Sequence, residues 1–320
     1  MAYSMIAFGP VPSRRLGYSL GINHIPPKYC PYSCVYCQVG RTKNLAIGRQ
    51  DFYPLALILQ EVERKISDCK KTGHVIDYLS LVPDGEPILD INLGKLIEGL
   101  KPFGIPIAVI TNASLIDREE VQDALLQADW VSLKIDAVIE ADWRRINRPH
   151  RYLSLPSILT GMLDFRRRYH GELVTETMLV SDINDREVAV LELSKFLLEL
   201  QPIKSYLSIP TRPPAESWVK PPDANSLRRI LEILTQKVSF VDLLFETEAS
   251  DFISTGSITE DVLSILAVHP IREEALRRMV TQAGAEWVIV EDLLASKKIS
   301  CIQYREARFY SRSLIGSNPS

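Results

Sequence analysis

The chain has little of what marks a secreted or membrane-bound protein. Only five of its 320 residues are cysteines, and no apolar run reaches the roughly 20 residues that span a bilayer. Residues 1–17 do not show the charged-then-apolar layout of a signal peptide. We therefore expect a cytoplasmic protein with no membrane partner. A reducing cytoplasm disfavours disulfides as the use of the cysteines.

A strong excess of charge of either sign is also missing. The 37 Lys and Arg residues nearly balance the 40 Asp and Glu residues, which leaves a net charge of -3. A protein that is basic over its whole surface is thereby excluded, so contact with nucleic acid would need a local patch. Hydrophobic residues at 46% and charged residues at 24% are typical of a soluble globular protein. The length allows one large domain and a smaller one.

Three of the five cysteines, Cys30, Cys34 and Cys37, lie together in the segment "CPYSCVYC". Buried structural thiols would be an unusual use, because three in a polar loop do not form a core pattern. A zinc site could take His24 as its fourth ligand, but such sites usually pair C-x2-C with a second, distant pair. A [4Fe–4S] cluster held by three thiolates would leave one iron open to a ligand that is not protein.

Strand patterns alternate with helix patterns along most of the chain, which predicts parallel βαβ units. Six such units within about 190 residues favour a barrel or partial barrel, whose chemistry lies at the carboxyl ends of the strands. The predicted strands span residues 18–23, 76–82, 106–111, 130–135, 172–180 and 204–209. The predicted helices span residues 54–73, 93–104, 117–128, 155–170 and 185–200.

The spacing C-x3-C-x-aromatic-C after the first strand, with Tyr36 as the aromatic residue, resembles the signature of the radical S-adenosylmethionine (SAM) superfamily. The resemblance implies a [4Fe–4S] cluster held by Cys30, Cys34 and Cys37, with SAM chelated on the open iron. It also implies reductive cleavage of SAM to methionine and a 5′-deoxyadenosyl radical, which takes a hydrogen atom from a substrate. An external electron donor such as flavodoxin or ferredoxin is implied as a partner.

Two further segments resemble SAM-binding parts of the superfamily. "PDGEPIL", after the second strand, is similar to the family's glycine-glutamate segment, with Gly85 and Glu86 matching and Asp84 replacing the commoner first glycine. This match implies that Glu86 and the nearby backbone hold the SAM amino group, and an ordinary turn is the alternative. "TNAS", after the third strand, implies that Asn112 donates to the SAM carboxylate or ribose, with a helix N-cap as the alternative.

The fourth strand ends in "SLKIDA", in which Ser132, Lys134 and Asp136 alternate and so share one face. Polar groups that face the inside of a barrel need partners, because unpaired burial is costly. The resemblance implies that Lys134 and Asp136 contact the SAM carboxylate and ribose. The alternative is that this face points outward, with Leu133 and Ile135 pointing in.

The segments "FGPVPSRRLGYSLGIN" and "PTRPPAESWVKPP" resemble one group within the superfamily. That group consists of mostly uncharacterised iron–sulfur oxidoreductases, distantly similar to the radical SAM enzymes that build the tricyclic wyosine base in tRNA. Outside the motif only Cys69 and Cys301 remain, too few for a second cluster. This shortage opposes a role in forming the tRNA tricycle.

The segment "DWRRINRPHRY", at 142–152, is predicted to be a loop at the rim of the active face. Guanidinium groups match phosphate or carboxylate, and aromatic rings can stack on bases. The alternative is a solvated loop with salt bridges to its neighbours. A second segment, 210–222, carries Arg212 and Trp218, which could close over a substrate, and the alternative is a loop that only links the two domains. The rim candidates in 142–152 are Trp143, Arg144, Arg145, Arg148, His150, Arg151 and Tyr152.

We place the division between domains at residue 222, with a radical SAM partial barrel over 1–222 and a smaller domain over 223–320. Three helices and a hairpin in the second part form a winged helix-turn-helix pattern. Residues 258–320 carry eight basic and eight acidic residues, and the helix in the recognition position is acidic, which opposes binding to duplex DNA. The predicted fold is α/β, a partial (β/α)6 TIM-like barrel with a C-terminal winged helix-turn-helix-like domain.

The substrate is left open between two classes. The basic, aromatic rim and the winged domain favour RNA, whereas the acidic recognition helix and the balanced overall charge favour radical chemistry on a protein or a small metabolite. A zinc-binding adaptor without catalysis is the alternative of a different class. No residue is assigned as a catalytic group.

Overall fold

The computed structural model describes residues 6–42, 44–244, 257–268 and 270–313. Eight strands form one sheet in chain order, with β1 (Ala7–Ser13) antiparallel to β2 (Gly17–Ile22) and every later neighbour parallel. Among the described strands β1 and β8 are the two edges, so the barrel is partial. The remaining strands are β3 (Tyr78–Leu81), β4 (Ile107–Thr111), β5 (Trp130–Lys134), β6 (Glu172–Met178), β7 (Lys204–Ser208) and β8 (Val241–Leu244).

Helices follow the parallel strands and pack on the outer face of the sheet. The six predicted strands correspond to β2–β7, and the five predicted helices are all present, so this part of the fold prediction is confirmed. The helices of this part are α1 (Leu55–Lys71), α2 (Leu93–Leu100), α3 (Glu119–Leu125), α4 (Glu140–Asn147), α5 (Leu155–Arg168), α6 (Glu187–Leu200) and α7 (Ala224–Thr235).

The two faces of the sheet have different chemistry. Leu79 and Leu133 are fully buried in the large outer core. On the inner face, Trp130, Val174 and Tyr206 belong to a separate small apolar cluster. Because side chains alternate along a strand, Ser132 and Lys134 share the inner face with Trp130. The predicted shared face therefore points into the barrel, and polar groups occupy the interior nearer the carboxyl ends of the strands.

One expectation about secondary structure and one about domain membership are wrong. Residues 140–147 form the helix α4, although the segment beginning at 142 was expected to be a loop. The helix α7 and the strand β8 were assigned to the C-terminal domain, but β8 pairs with β7 and the side chains of Ile230 and Leu234 enter the outer core. Residues 224–244 therefore belong with the first sheet, because the apolar face of α7 is covered there.

The C-terminal elements form a second, smaller core. Three helices pack against a three-stranded antiparallel sheet of order β10–β11–β9, and α8 contacts β1 at the edge of the barrel. A buried ion pair, Lys65 Nζ to Asp261 Oδ1 at 3.5 Å, joins α1 to α8. The identification as a winged helix-turn-helix stays a prediction. These elements are α8 (Ile258–Val268), β9 (Ile271–Arg272), α9 (Glu273–Gln282), α10 (Val288–Ala295), β10 (Ile299–Tyr304) and β11 (Ala307–Arg312).

In the described ranges, no helix combines the length and the apolar character needed to cross a membrane.

Candidate functional site

The three clustered cysteines lie in the loop that follows β2, at the carboxyl end of the parallel strands. All three are free thiols and half-buried. Each Sγ atom accepts a hydrogen bond from one side-chain N–H, and Cys30 Sγ also accepts from the backbone N–H of Tyr32 at 3.5 Å. Such bonds stabilise thiolates and tune a metal bound to them. The donor–thiol pairs are Asn112 Nδ2 to Cys30 at 3.3 Å, Asn147 Nδ2 to Cys34 at 3.4 Å and Lys28 Nζ to Cys37 at 3.4 Å.

Two of these thiols are held neutral when no metal is bound. Burial raises the pKa of Cys30 well above its ordinary value. Burial, the Asp136 carboxylate and the Cys37 thiol together raise the pKa of Cys34 to about 12. A coordinated metal displaces the proton of such a thiol. The donor set therefore fits an iron–sulfur cluster better than a free nucleophilic cysteine.

The zinc alternative finds no support in the described part of the chain. No group of three or more His, Cys, Asp and Glu residues there is placed to hold a single metal ion. A zinc ion needs all of its ligands about 2 Å from one point, whereas a four-iron cluster is wider and spreads its thiolates. His24, the candidate fourth ligand of that alternative, is fully buried just after β2, and burial lowers its pKa to about 4.

The "PDGEP" segment is packed against the loop that leads to the first cysteine. A Cβ atom at Gly85 would collide with the carbonyl oxygen of Tyr29, so glycine is required by this close approach. The N–H of Glu86 donates to the Tyr29 carbonyl at 2.9 Å, and the N–H of Lys28 donates to the Asp84 carbonyl at 3.2 Å. The segment is therefore part of the wall of the site rather than an exposed turn.

Glu86 is buried where β3 and β4 end. Its carboxylate accepts hydrogen bonds from the Thr111 hydroxyl, from the N–H of Asn112 at 2.8 Å and from the N–H of Ile88 at 3.4 Å. Burial raises the pKa of Glu86 to about 7, against the lowering effect of these donors. The described donors to the Glu86 carboxylate are all neutral, so its negative charge is not balanced by them. A bound ammonium group would balance it.

Asn112 is oriented toward the cysteine loop. Its Oδ1 accepts from the N–H of Ser114 at 2.9 Å, which directs Nδ2 to the Cys30 thiol. It does not cap a helix, since α3 begins later, at Glu119. Its expected contact with SAM stays a prediction.

Tyr36, Lys134 and Asp136 are brought together, as the sequence pattern predicts for one side of the site. Asp136 accepts hydrogen bonds from the Tyr36 hydroxyl, from Asn147 Nδ2 at 2.7 Å and from the Met178 N–H at 2.9 Å. The Lys134 ammonium lies 5.0 Å from the centroid of the Tyr36 ring and 3.6 Å from Asp136 Oδ1. Burial raises the pKa of Tyr36, so its hydroxyl stays a neutral donor to the carboxylate.

Glu176 and Arg15 also belong to this site, although no motif predicted them. Glu176 on β6 accepts from Lys134 Nζ and from the Ser208 hydroxyl, both at 3.2 Å, and it pairs with Arg15 from the turn between β1 and β2. Burial acts to raise the pKa of Glu176, but Lys134 and Arg15 outweigh it and lower the pKa to about 2. Strand alternation in "ELVTETMLV" could have placed Glu176 inside the barrel. Nothing in the sequence signals Arg15.

The proline-rich segment 210–222 is fastened to the cysteine loop through Glu216. This buried carboxylate pairs with Arg41 at 2.7 Å and with Arg148 at 2.5 Å. The N–H of Glu216 also donates to the carbonyl of Val35, between the second and third cysteines, at 3.0 Å. Of the two side chains expected to close over a substrate, Arg212 donates to Gln38 Oε1 at 3.2 Å, and Trp218 remains 46% exposed.

The arginines of the expected rim have protein partners. Arg144 pairs with Glu140 at 2.6 Å, Arg145 donates to the Asp182 carbonyl at 3.2 Å, and Arg148 pairs with Glu216. This is the arrangement expected of a solvated segment with salt bridges.

The aromatic residues of the rim divide into two groups. Trp143 is buried, and its ring N–H donates to the Tyr32 hydroxyl at 3.2 Å, so the expectation that it stacks on a substrate base is wrong. Tyr152 is 69% exposed, and the Arg151 guanidinium lies 4.7 Å from the centroid of its ring. His150 accepts from the N–H of Tyr152 at 3.3 Å. One exposed arginine–aromatic pair thus remains at the rim.

A family model described as the Radical SAM superfamily matches residues 25–193, which include every proposed ligand and SAM contact. The chain belongs to the radical SAM superfamily. This membership confirms the family expected from the cysteine spacing, and it implies an enzyme that uses a [4Fe–4S] cluster and SAM.

This radical SAM protein is 46% identical over 311 residues to a UPF0026 protein of Methanocaldococcus jannaschii, covering 97% of this chain and 96% of that relative. A crystal structure of a radical SAM methyltransferase from Sphaerobacter thermophilus aligns with a TM-score of 0.52 at 14% identity, over 72% of this chain and 67% of the other. A structure of TYW1 with a bound lysine-pyruvate adduct aligns with a TM-score of 0.49 at 16% identity, over 69% and 74%. At 14% identity, the methyltransferase similarity shows the fold alone.

Proposed function

We propose that this protein holds a [4Fe–4S] cluster through Cys30, Cys34 and Cys37 and binds SAM beside it to start radical chemistry on a substrate. The observation that carries the proposal is that three free thiols lie in one loop and each accepts a hydrogen bond from a side-chain N–H. Two of these donors, Asn112 and Asn147, come from distant segments, and the third, Lys28, lies in the loop itself. When bound, the cluster supplies the electron that cleaves SAM reductively and releases a 5′-deoxyadenosyl radical.

The remaining residues of the site match the charges of SAM. Glu86 is a buried carboxylate with neutral donors, and it suits the ammonium group of the methionine part. Lys134 is held protonated between two carboxylates, and it suits the methionine carboxylate. The Tyr36 hydroxyl donates to Asp136 and keeps that carboxylate turned toward the cysteine loop. Gly85 lets the backbone approach closely.

For the substrate we propose a protein or a small metabolite. Two of the rim arginines, Arg144 and Arg148, are paired with carboxylates, so the rim offers a polyanion less free positive charge than its sequence suggests. RNA is the second candidate, and the exposed Arg151–Tyr152 pair favours it because arginine and tyrosine together can stack on an unpaired base. An external electron carrier such as flavodoxin or ferredoxin would deliver the electron.

The first experiment tests the cofactor. Protein purified and reconstituted without oxygen should be brown and hold about four iron atoms per chain. After reduction with dithionite it should convert SAM slowly to 5′-deoxyadenosine without added substrate. Colourless protein with one zinc per chain and no SAM cleavage would contradict the proposal.

The second experiment separates the substrate classes. The rate of 5′-deoxyadenosine formation is measured with a cell extract that has been treated with ribonuclease, treated with protease, or filtered to keep only small molecules. Loss of stimulation after protease identifies a protein, and stimulation by the filtrate identifies a metabolite. Loss after ribonuclease, with a steep decrease as salt is added, would instead identify RNA.

A further inference from the structure

Four charged side chains form a continuous chain across the inside of the barrel, which we call the interior charge chain. Its members alternate in sign and sum to zero net charge, and their side chains are between 1% and 19% exposed. Lys134 Nζ lies 3.2 Å from Glu176 Oε1 and 3.6 Å from Asp136 Oδ1. In order, the members are Arg15, Glu176, Lys134 and Asp136.

The interior charge chain ends at the cysteine loop. Asp136 accepts hydrogen bonds from the Tyr36 hydroxyl, within the motif itself, and from Asn147 Nδ2. The same Asn147 amide also donates to the Cys34 thiol at 3.4 Å. A path of direct contacts therefore runs from the turn between β1 and β2 to a thiol of the proposed cluster.

Each member is held by the charge of its neighbours. Removing one partner of a buried ion pair leaves an uncompensated charge in a medium of low dielectric constant, which is strongly unfavourable. Lys134 has carboxylates on both sides and the Tyr36 ring beneath it, so its ammonium position depends on Glu176 as well as on Asp136. Glu176 in turn depends on Arg15, which comes from a turn outside every SAM-binding segment.

We propose that Glu176 and Arg15 are positioning residues: they hold the Lys134 ammonium against Tyr36 and Asp136 and set the electrostatic potential at the cluster. This inference rests on the proposed [4Fe–4S] site. It adds to that proposal two residues that touch no thiol: Glu176, which acts through Lys134, and Arg15, which acts through Glu176.

The test is a charge cycle read out by the midpoint potential of the reconstituted cluster. Glu176→Gln leaves the interior charge chain with one excess positive charge, which stabilises the more negative reduced cluster and shifts the potential upward. Arg15→Gln leaves one excess negative charge and shifts the potential downward. The double variant Arg15→Gln, Glu176→Gln restores zero net charge, and its potential should return close to that of the wild type.

The control is the buried pair Lys65–Asp261, which joins α1 to the C-terminal helix α8 and is not a member of the interior charge chain. Lys65→Gln should lower the melting temperature without moving the potential. Shifts of the same sign in both single variants, or a double variant that shifts as far as a single one, would overturn the inference. If one single variant does not fold, the other single variant and the double variant still show whether the midpoint potential shifts in the expected direction and returns. Wild-type protein that assembles no cluster would instead refute the proposed function.

Discussion

Charged residues crowd two regions of this protein, the inside of the barrel and the rim helix α4, but they are paired in different ways. Inside the barrel, Lys134 meets Glu176, 42 positions later in the chain, because β5 and β6 are in register at these two residues. On the rim, Arg144 meets Glu140, one helical turn earlier, and its side chain is 52% exposed. The interior pair joins two elements away from water, whereas the rim pair lies within one helix in solvent.

The comparison shows that burial, rather than the number of charges, decides how much a charged residue matters. An exposed pair within a helix contributes roughly 0.3–0.5 kcal/mol. Breaking a buried pair costs about 3–5 kcal/mol because one charge is left without compensation. We therefore expect substitutions in the interior to change cofactor chemistry and substitutions on the rim to change little.

The largest effect is expected at the cysteines. Cys34→Ala should lose the whole cluster, because the two thiolates that remain in this loop cannot hold four irons. Iron analysis and the visible absorbance of anaerobically reconstituted protein measure the loss. Cys301→Ala, which removes an exposed thiol on β10, is the matched control and should keep all the iron. Equal iron in both variants would contradict the assignment of the ligands.

Glu86→Gln is expected to weaken SAM binding by about 10- to 150-fold while the cluster stays assembled. The range follows from the roughly 1.5–3 kcal/mol of a hydrogen bond to a charged group. Calorimetric titration with SAM is the measurement. Glu140→Gln removes an exposed carboxylate from the rim and should bind SAM normally. If Glu86→Gln bound SAM with unchanged affinity, "DGEP" would have only a structural role.

Glu86 also predicts a pH dependence of SAM binding. Its pKa is raised to about 7, so the carboxylate becomes protonated, and loses its attraction for an ammonium group, as the pH falls through about 7. SAM affinity of the wild type should decrease on acidification over this range. Glu86→Gln has no such group and should show a flatter profile, and parallel profiles for the two proteins would argue against the contact.

A smaller effect is expected at Glu216, whose arginine partners are partly in solvent. Glu216→Gln should destabilise the protein by about 1 kcal/mol or less, since solvent screens both pairs. The segment 210–222 should then open more often. Hydrogen exchange followed by mass spectrometry should show faster exchange there, and Glu306→Gln, at the tip of the C-terminal hairpin, should leave that exchange unchanged. If segment 210–222 exchanged at the same rate in Glu216→Gln and in the wild type, the hydrogen bond from the Glu216 N–H to the Val35 carbonyl would be enough to hold the segment closed.

The smallest effect is expected on the rim. Arg144→Ala with Arg145→Ala should change the free energy of unfolding by less than about 1 kcal/mol, because the hydrogen-bonded partners of both guanidinium groups lie in solvent. SAM cleavage without substrate should be unaffected. Retention on bulk tRNA at low salt checks the RNA alternative: retention by the wild type that this variant loses would show that the rim binds a polyanion.

Features set by neighbours along the chain could be predicted from the sequence. The spacing of Cys30, Cys34 and Cys37 predicts a three-thiolate loop, because the three thiols lie within eight consecutive residues. The alternation of strand and helix patterns located β2–β7, because each pattern is also contained within a short stretch of the chain. Gly85 and Glu86 were singled out because "PDGEPIL" resembles a SAM-binding segment of the family and comes soon after a predicted strand, and the carboxyl ends of parallel strands meet at one edge of the sheet.

Features set by contacts between distant residues required the fold. The pairing of Glu176 with both Arg15 and Lys134 depends on strand register and on how a turn enters the barrel, and neither has a local sequence pattern. Trp143 resembled a surface residue within a charged run, yet α4 turns its ring into the core beside Tyr32. Burial is a property of all the surrounding elements together, so a residue's sequence neighbours do not reveal it.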